Sequence, residues 1–192
     1  MRTILSLVFC TFLLNIGFAQ SEDAIRKGFK KYQDFLKAGE YEKSMDLVYP
    51  KLFDLVPKST LLDAIKSTFN DPNLEIEMGD GKILEIGKAQ KVEGEYFSFI
   101  SYESVIKMKA NASGEAEQEA INVQLKANFE ENFGANNVSY DEETGFFTIK
   151  VKEQSLAISP NGKDSWKFLT LQKNQLMLME QILPAEILEQ VK

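Results

Sequence analysis

Histidine is absent from this chain of 192 residues, and cysteine occurs once, at Cys10. Without histidine, the nucleophilic schemes that pair serine or cysteine with an imidazole base are excluded, and zinc, copper and iron lose their commonest ligand. Positive charge is also scarce, since 22 lysine and arginine residues face 29 aspartate and glutamate residues, for a net charge of -7. An acidic chain has no general attraction for phosphate backbones, so we expect no nucleic-acid partner.

Acidic turns and glycine turns are present, but none has the spacing of an ion or phosphate site. The two acid-rich turns, Asn70-Asp71 and Asp141-Glu142-Glu143, lack the glycine and the distal glutamate of a calcium loop. The segment Gly79-Asp80-Gly81 has the composition of a hairpin turn and lacks the longer glycine pattern of a nucleotide-binding loop. We therefore expect neither a metal nor a cofactor.

Residues 1–19 have the pattern of a secretory signal peptide. Arg2 precedes an apolar run from Ile4 to Ile16, which is shorter than the roughly 20 residues that a membrane-spanning helix needs. Small residues then stand at Gly17 and Ala19, and they predict cleavage between Ala19 and Gln20 after export by the Sec pathway.

Residues 20–192 form the mature chain under this prediction, and they contain neither histidine nor cysteine. Such a chain has no disulfide and must be stabilised by an ordinary core, for which its length suffices. It shows no second long apolar run, no repeat and no linker, so we expect one α+β domain that does not span a membrane. The absence of disulfides favours a bacterial envelope, with the protein in the periplasm or outside the cell. The oligomeric state stays open.

The first part of the mature chain has the apolar spacing of helices. Between Glu22 and Ala38, apolar residues recur three or four positions apart, and Gly39 follows as a helix terminator. A second helix is predicted from Tyr41 to Val48 and a third from about Ser59 to Phe69. The first apolar stripe consists of Ile25, Phe29, Tyr32, Phe35 and Leu36.

The pattern then changes to the two-residue alternation of strands. The clearest strand pattern is at 95–110, where Tyr96 and Tyr102 share an apolar face and Glu103 falls on the opposite, solvent-facing side. Shorter strands are predicted at 74–78, 83–86, 138–140, 146–151, 155–158 and 166–171. Helices are predicted at 115–133, between strands, and at 175–192. This order predicts an α+β fold in which N-terminal helices pack on a curved antiparallel sheet.

The same order of elements resembles the nuclear transport factor 2-like superfamily, in which helices cover a curved sheet to form a cone. The similar parts are the helix end Lys37-Ala38-Gly39-Glu40-Tyr41, the short second helix, the strand at 95–110 and the hairpin Gly162-Lys163-Asp164-Ser165-Trp166-Lys167-Phe168. In the ketosteroid isomerase relatives of this superfamily, a carboxylate abstracts a proton beside a tyrosine that stabilises an oxyanion. As a whole, the chain also resembles small secreted proteins of Bacteroidota-type bacteria, a resemblance that implies no activity.

Three aromatic side chains are the candidates to line such a cone, namely Tyr96, Tyr102 and Trp166. No acidic residue shares the face of the two tyrosines on their own strand, since Glu103 lies on the opposite face. The base that the isomerase mechanism requires is therefore not evident. The leading hypothesis is a non-enzymatic domain that binds a small apolar ligand, in a cavity without a carboxylate, or that binds an envelope protein.

Two other functions stay open. An enzyme of isomerase or dehydratase type would need a carboxylate beside Tyr96 or Tyr102, with a raised pKa. An interaction protein that dimerises through its sheet would need an exposed apolar patch, for which Phe97 and Phe99 are the candidates.

Overall fold

The computed structural model describes residues 2–171 and 175–191. Within them, seven α-helices and an open, seven-stranded antiparallel sheet confirm the predicted α+β class. The helices are α1 (Arg2–Lys37), α2 (Tyr41–Met45), α3 (Leu52–Leu55), α4 (Lys58–Phe69), α5 (Glu115–Phe133), α6 (Leu176–Met179) and α7 (Ala185–Leu188). The strands are β1 (Leu74–Met78), β2 (Lys82–Ile86), β3 (Gln90–Val92), β4 (Glu95–Ala110), β5 (Val138–Tyr140), β6 (Phe147–Ser159) and β7 (Lys167–Leu171). Met1 and Lys192, the ends of the predicted leader and domain, lie outside the described residues.

Two long strands form the middle of the sheet. β4 and β6 pair antiparallel from Tyr96 opposite Ser159 to Met108 opposite Phe147. β1, β2 and β3 pair with successive parts of the other edge of β4, while β5 and β7 pair with the other edge of β6. The sequence predicted two strands in place of β6, at 146–151 and 155–158. The structure has one, because β4 offers a continuous partner to residues 152–154 as well.

α1 packs on one face of the sheet. Ile25 and Phe29, each 1% exposed, lie one turn apart and therefore on the same side of the helix. They form a core cluster with the strand residues beneath them. The other buried members are Ile86, Ile100, Tyr102, Ala157, Trp166 and Phe168. With Tyr32 packed against it, this cluster confirms for three residues of the stripe predicted for the first helix that they face the core, while Phe35 and Leu36 are only half-buried.

The C-terminal segment covers the opposite face of the same half of the sheet. Met179 and Ile187 are buried in a cluster with Phe97, and Phe99 packs against that cluster. The predicted exposed patch of Phe97 and Phe99 is therefore wrong, because Phe97 is fully buried and Phe99 is partly buried where the segment that carries α6 and α7 packs on the sheet. The solvent-facing side of β4 is confined to the second half of the strand, where Lys107 is exposed.

The apolar packing of α5 on the other half of the sheet comes from the second half of the helix. Phe129 is buried and packs edge-on against Phe147, with ring centroids 5.5 Å apart. Earlier on the helix, Val123 is 67% exposed, and at the end Phe133 is 38% exposed. The apolar stripe predicted for this helix is thus only partly buried.

Ser21, within α1, is tied to the turn between β6 and β7. The Ser21 hydroxyl donates to the carbonyl of Gly162 over 2.6 Å. Gly162 has a φ of 70°, and a Cβ atom there would lie 2.6 Å from the ring of Tyr96, so the turn requires glycine. The contact of Ser21 lies just past the cleavage site that the sequence predicts.

Candidate functional site

Aromatic side chains meet beneath the C-terminal part of α1. The ring of Phe29 packs edge-on against Tyr102, with centroids 4.9 Å apart, and against Phe168, with centroids 5.2 Å apart. Tyr32, one turn further along α1, lies 6.0 Å from the ring of Phe168. Such edge-on and tilted contacts add to the stabilisation that burial alone gives. They fix the positions of the two tyrosine rings relative to the sheet.

The two tyrosine hydroxyls belong to a small polar cluster on the same face of the sheet. The register of β4 and β6 places Glu153 directly opposite Tyr102, so both side chains point to one face. Tyr102 interacts with Glu153 and with Thr170 of β7, and Tyr32 interacts with the same two residues. We call Tyr32, Tyr102, Glu153 and Thr170 the tyrosine cluster.

Burial controls the ionisation of both tyrosines. The pKa of the Tyr102 hydroxyl is raised well above its ordinary value, first by burial and then by the negative charge of Glu153. The pKa of Tyr32 is raised for the same first reason, and the Thr170 hydroxyl offsets part of that rise. Both phenols therefore keep their protons at neutral pH and can act as hydrogen-bond donors.

A cavity of about 140 Å³ begins at the edge of this cluster. Tyr32 and Thr170 form one part of its wall, and Gln175 is the other polar residue among the described ones that line it. The remaining wall comes from α2, α4, β7 and neighbouring segments. Its apolar residues are Met45, Val48, Leu52, Leu61, Ile65, Phe168, Leu169 and Met179. We call this space the β7 cavity.

The β7 cavity has the size and chemistry of a pocket for a small apolar group. A dry apolar cavity of roughly 150 Å³ in another protein holds benzene. Among the described residues, no aspartate or glutamate lines the β7 cavity. A bound molecule would therefore meet hydrocarbon on most sides and hydroxyl groups at one end.

The sequence-predicted site residues lie beside this cavity rather than around it. Tyr102 and Trp166 are buried in the core cluster under α1, and Tyr96 packs against that cluster. None of the three is among the described residues that line the β7 cavity. Within the described residues, the indole N–H of Trp166 has no hydrogen-bond partner. Their role in ligand binding stays a prediction, and Tyr102 alone joins the tyrosine cluster.

Sequence reasoning missed Glu153 and Thr170 and placed Tyr32 only in a core stripe. Glu153 fell in the gap between two predicted strands, so no face of the sheet was assigned to it. A continuous alternation through residues 147–159 would have placed it on the face of Ile149 and Ala157. The structure thus places a half-buried carboxylate opposite Tyr102, on the neighbouring strand.

Two further kinds of feature, a metal site and a membrane-spanning helix, were sought among the described residues. They contain no group of three acidic, cysteine or histidine side chains placed to hold a metal ion. Nor does any helix among them have the length and apolar character needed to cross a membrane. Comparison of the chain with protein-family models, with curated protein sequences and with solved structures finds no match.

Proposed function

We propose that this chain is an exported, non-enzymatic domain of nuclear transport factor 2-like type that binds a small, mainly apolar ligand in the β7 cavity. The observation that carries the proposal is the lining, which among the described residues combines eight apolar residues with the polar residues Tyr32, Thr170 and Gln175. Binding pockets for small molecules usually have this composition, with a few polar groups that fix the orientation of the ligand. The ligand would thus carry one hydrogen-bonding group on a compact hydrocarbon body.

Export is part of the proposal. The leader of residues 1–19 would be removed between Ala19 and Gln20, which releases the domain into the periplasm or the medium. The contact between Ser21 and Gly162 supports a mature chain that begins near this point, since it ties the start of that chain to the β6–β7 turn.

We expect p-cresol to bind the wild-type protein with a Kd of about 0.1–1 mM, because a ligand of this size has few atoms with which to gain affinity. Leu61→Trp should weaken binding at least about tenfold, because the indole fills the β7 cavity that Leu61 lines. Titration calorimetry at neutral pH measures both values.

The matched control is Ser67→Trp, which adds the same ring at an exposed position of the same helix. It should bind p-cresol as the wild type does. The proposal fails if p-cresol does not bind, or if Leu61→Trp and Ser67→Trp bind it equally well. Native mass spectrometry of the exported protein would then show whether a natural ligand leaves on denaturation, and its mass would identify it.

A second candidate function is an enzyme that moves a proton on a small carbonyl compound. The pair of Tyr102 and Glu153 favours it, because a carboxylate and a protonated phenol are the groups that such chemistry uses. The position of the carboxylate argues against an enzyme, because Glu153 is not among the described residues that line the β7 cavity. A general base must lie within hydrogen-bond reach of the proton that it abstracts. The geometry therefore favours binding over catalysis.

Hydrogen exchange in D2O tests the enzyme candidate. If Glu153 acts as a base, the wild-type protein should accelerate loss of the α-proton NMR signals of cyclohexanone, and Glu153→Gln should reduce the rate about a hundredfold or more. Lys152→Gln, at the neighbouring exposed position, is the control and should keep the wild-type rate. A wild-type rate equal to that of buffer alone would exclude this candidate for ketones of cavity size.

A further inference from the structure

A second hollow, of about 720 Å³, lies between the first turns of α5 and the strand β5 with the turn that follows it. Its apolar surface comes from Val123, which is 67% exposed, from Tyr140, which is 37% exposed, and from Phe147. Along α5 it extends from Glu115 to Lys126, which is about 17 Å at the helical rise. We call this hollow the α5 groove.

A network of hydrogen bonds holds the walls of the α5 groove together. The side-chain amide of Gln118 donates to the carbonyl of Ala110 over 2.9 Å and to the Asn122 side chain over 2.9 Å. Asn122 in turn donates to the Tyr140 hydroxyl over 2.8 Å, which links α5 to β5. The N–H of Ala112 donates to the Gln118 side chain over 3.0 Å. These hydrogen bonds fix the position of α5 relative to β5, and the side-chain amides of Gln118 and Asn122 are already hydrogen-bonded within the protein.

The rim of the α5 groove is acidic. Glu115 and Glu119 line the wall formed by α5, Glu142 lines the opposite wall, and Lys126 is the one basic residue among the described lining residues. None of the ion pairs in the described part of the chain involves these three carboxylates. Glu117, which lies between the first two, instead accepts a hydrogen bond from the N–H of Ser113.

We propose that the α5 groove binds an extended segment of a partner protein that carries lysine or arginine at alternate positions. Glu115 and Glu119 are one helical turn apart, which spaces them by about 6 Å along α5. Alternate side chains of an extended chain repeat at nearly the same distance, about 6.6 Å. Two basic side chains of such a segment can therefore each meet one carboxylate.

The length and floor of the groove favour a peptide over a small cation. About 17 Å accommodates five residues of extended chain, at roughly 3.3 Å each. The hydrocarbon stems of lysine or arginine would lie on Val123 and on the ring of Tyr140, where the ring face also attracts the charge. This site is separate from the β7 cavity, and the inference does not depend on the proposed function.

Fluorescence anisotropy with a labelled peptide, acetyl-Val-Lys-Val-Lys-Val-Lys-amide, tests the proposal on the full mature chain. The peptide should bind, and the double variant Glu115→Gln, Glu119→Gln should bind it about tenfold more weakly, since it loses two partly screened ion pairs. The matched control is Glu130→Gln, Glu131→Gln, which removes the same charge from the same helix outside the described groove lining. It should change the affinity less than twofold.

Three results would overturn the proposal. The first is no binding of the lysine peptide, or equal binding of a peptide with glutamate in place of lysine. The second is an equal loss of affinity in both double variants, which would show a general effect of net charge. The third is equal affinity for spermidine, which would assign the groove to a small cation. Circular dichroism of both variants establishes that the fold is intact.

Discussion

Phe29→Ala should lower the free energy of unfolding by about 3–5 kcal/mol, as expected when a fully buried phenylalanine is truncated. Phe29 is 1% exposed and stands where α1 meets the sheet. Its ring contacts those of Tyr32, Tyr102 and Phe168, which come from the same helix and from two different strands. Tyr102 and Phe168 are anchored in the sheet and cannot move into the space that the truncation leaves. The free-energy cost of this cavity therefore adds to the cost of the lost burial.

Urea unfolding followed by circular dichroism measures this loss. The control is Phe133→Ala, the same truncation at a side chain that is 38% exposed, for which we expect less than about 1 kcal/mol. A loss at Phe29 no larger than the loss at Phe133 would show that α1 is not packed on the sheet as described. Because Phe29 also positions Tyr32, the variant should bind p-cresol more weakly even where it remains folded.

The importance of Phe29 could be read from the sequence, because helix periodicity depends only on local spacing. Ile25, Phe29 and Tyr32 recur on one side of a helix whatever lies opposite, and the structure places all three toward the core. For the helix at 115–133, the same periodicity does not predict which residues are buried. Its stripe is equally regular, yet Phe129 is buried while Phe133 is 38% exposed.

Neighbours that are distant in sequence could not be predicted in the same way. Glu153 meets Tyr102 only because β6 pairs with β4 across the inserted helix α5, and no local pattern encodes that pairing. Phe97 and Phe99 are covered by a segment that follows them by about eighty residues. The β7 cavity likewise draws its walls from several separate elements, so its existence depends on how they pack rather than on any motif.

Above pH 10, the protein should become less stable through Tyr102, by about 1.4 kcal/mol for each further pH unit. The pKa of this phenol is raised in the folded state and returns to its ordinary value of 10.0 on unfolding. Between these two values the unfolded chain has lost a proton that the folded chain retains, so rising pH favours unfolding. The stabilisation is complete below pH 10 and is lost as the pH approaches the folded value.

Denaturant unfolding at pH 9, 10 and 11, with tyrosinate absorbance as a second signal, measures this slope. Tyr102→Phe removes the titrating group and should make the slope shallower by about 1.4 kcal/mol per pH unit. Ser139→Ala, which removes an exposed hydroxyl that does not titrate in this range, is the control and should keep the wild-type slope. An unchanged slope in Tyr102→Phe would show that this hydroxyl is open to solvent in the folded protein.

The same titration separates the two causes of the shifted pKa. Burial is the larger cause and the charge of Glu153 the smaller one, so Glu153→Gln should retain most of the alkaline slope of the wild type. Removing the carboxylate only lowers the pH at which the folded protein begins to lose the Tyr102 proton. If Glu153→Gln instead lost as much of the slope as Tyr102→Phe does, the charge of Glu153 rather than burial would be the main cause of the raised pKa of Tyr102.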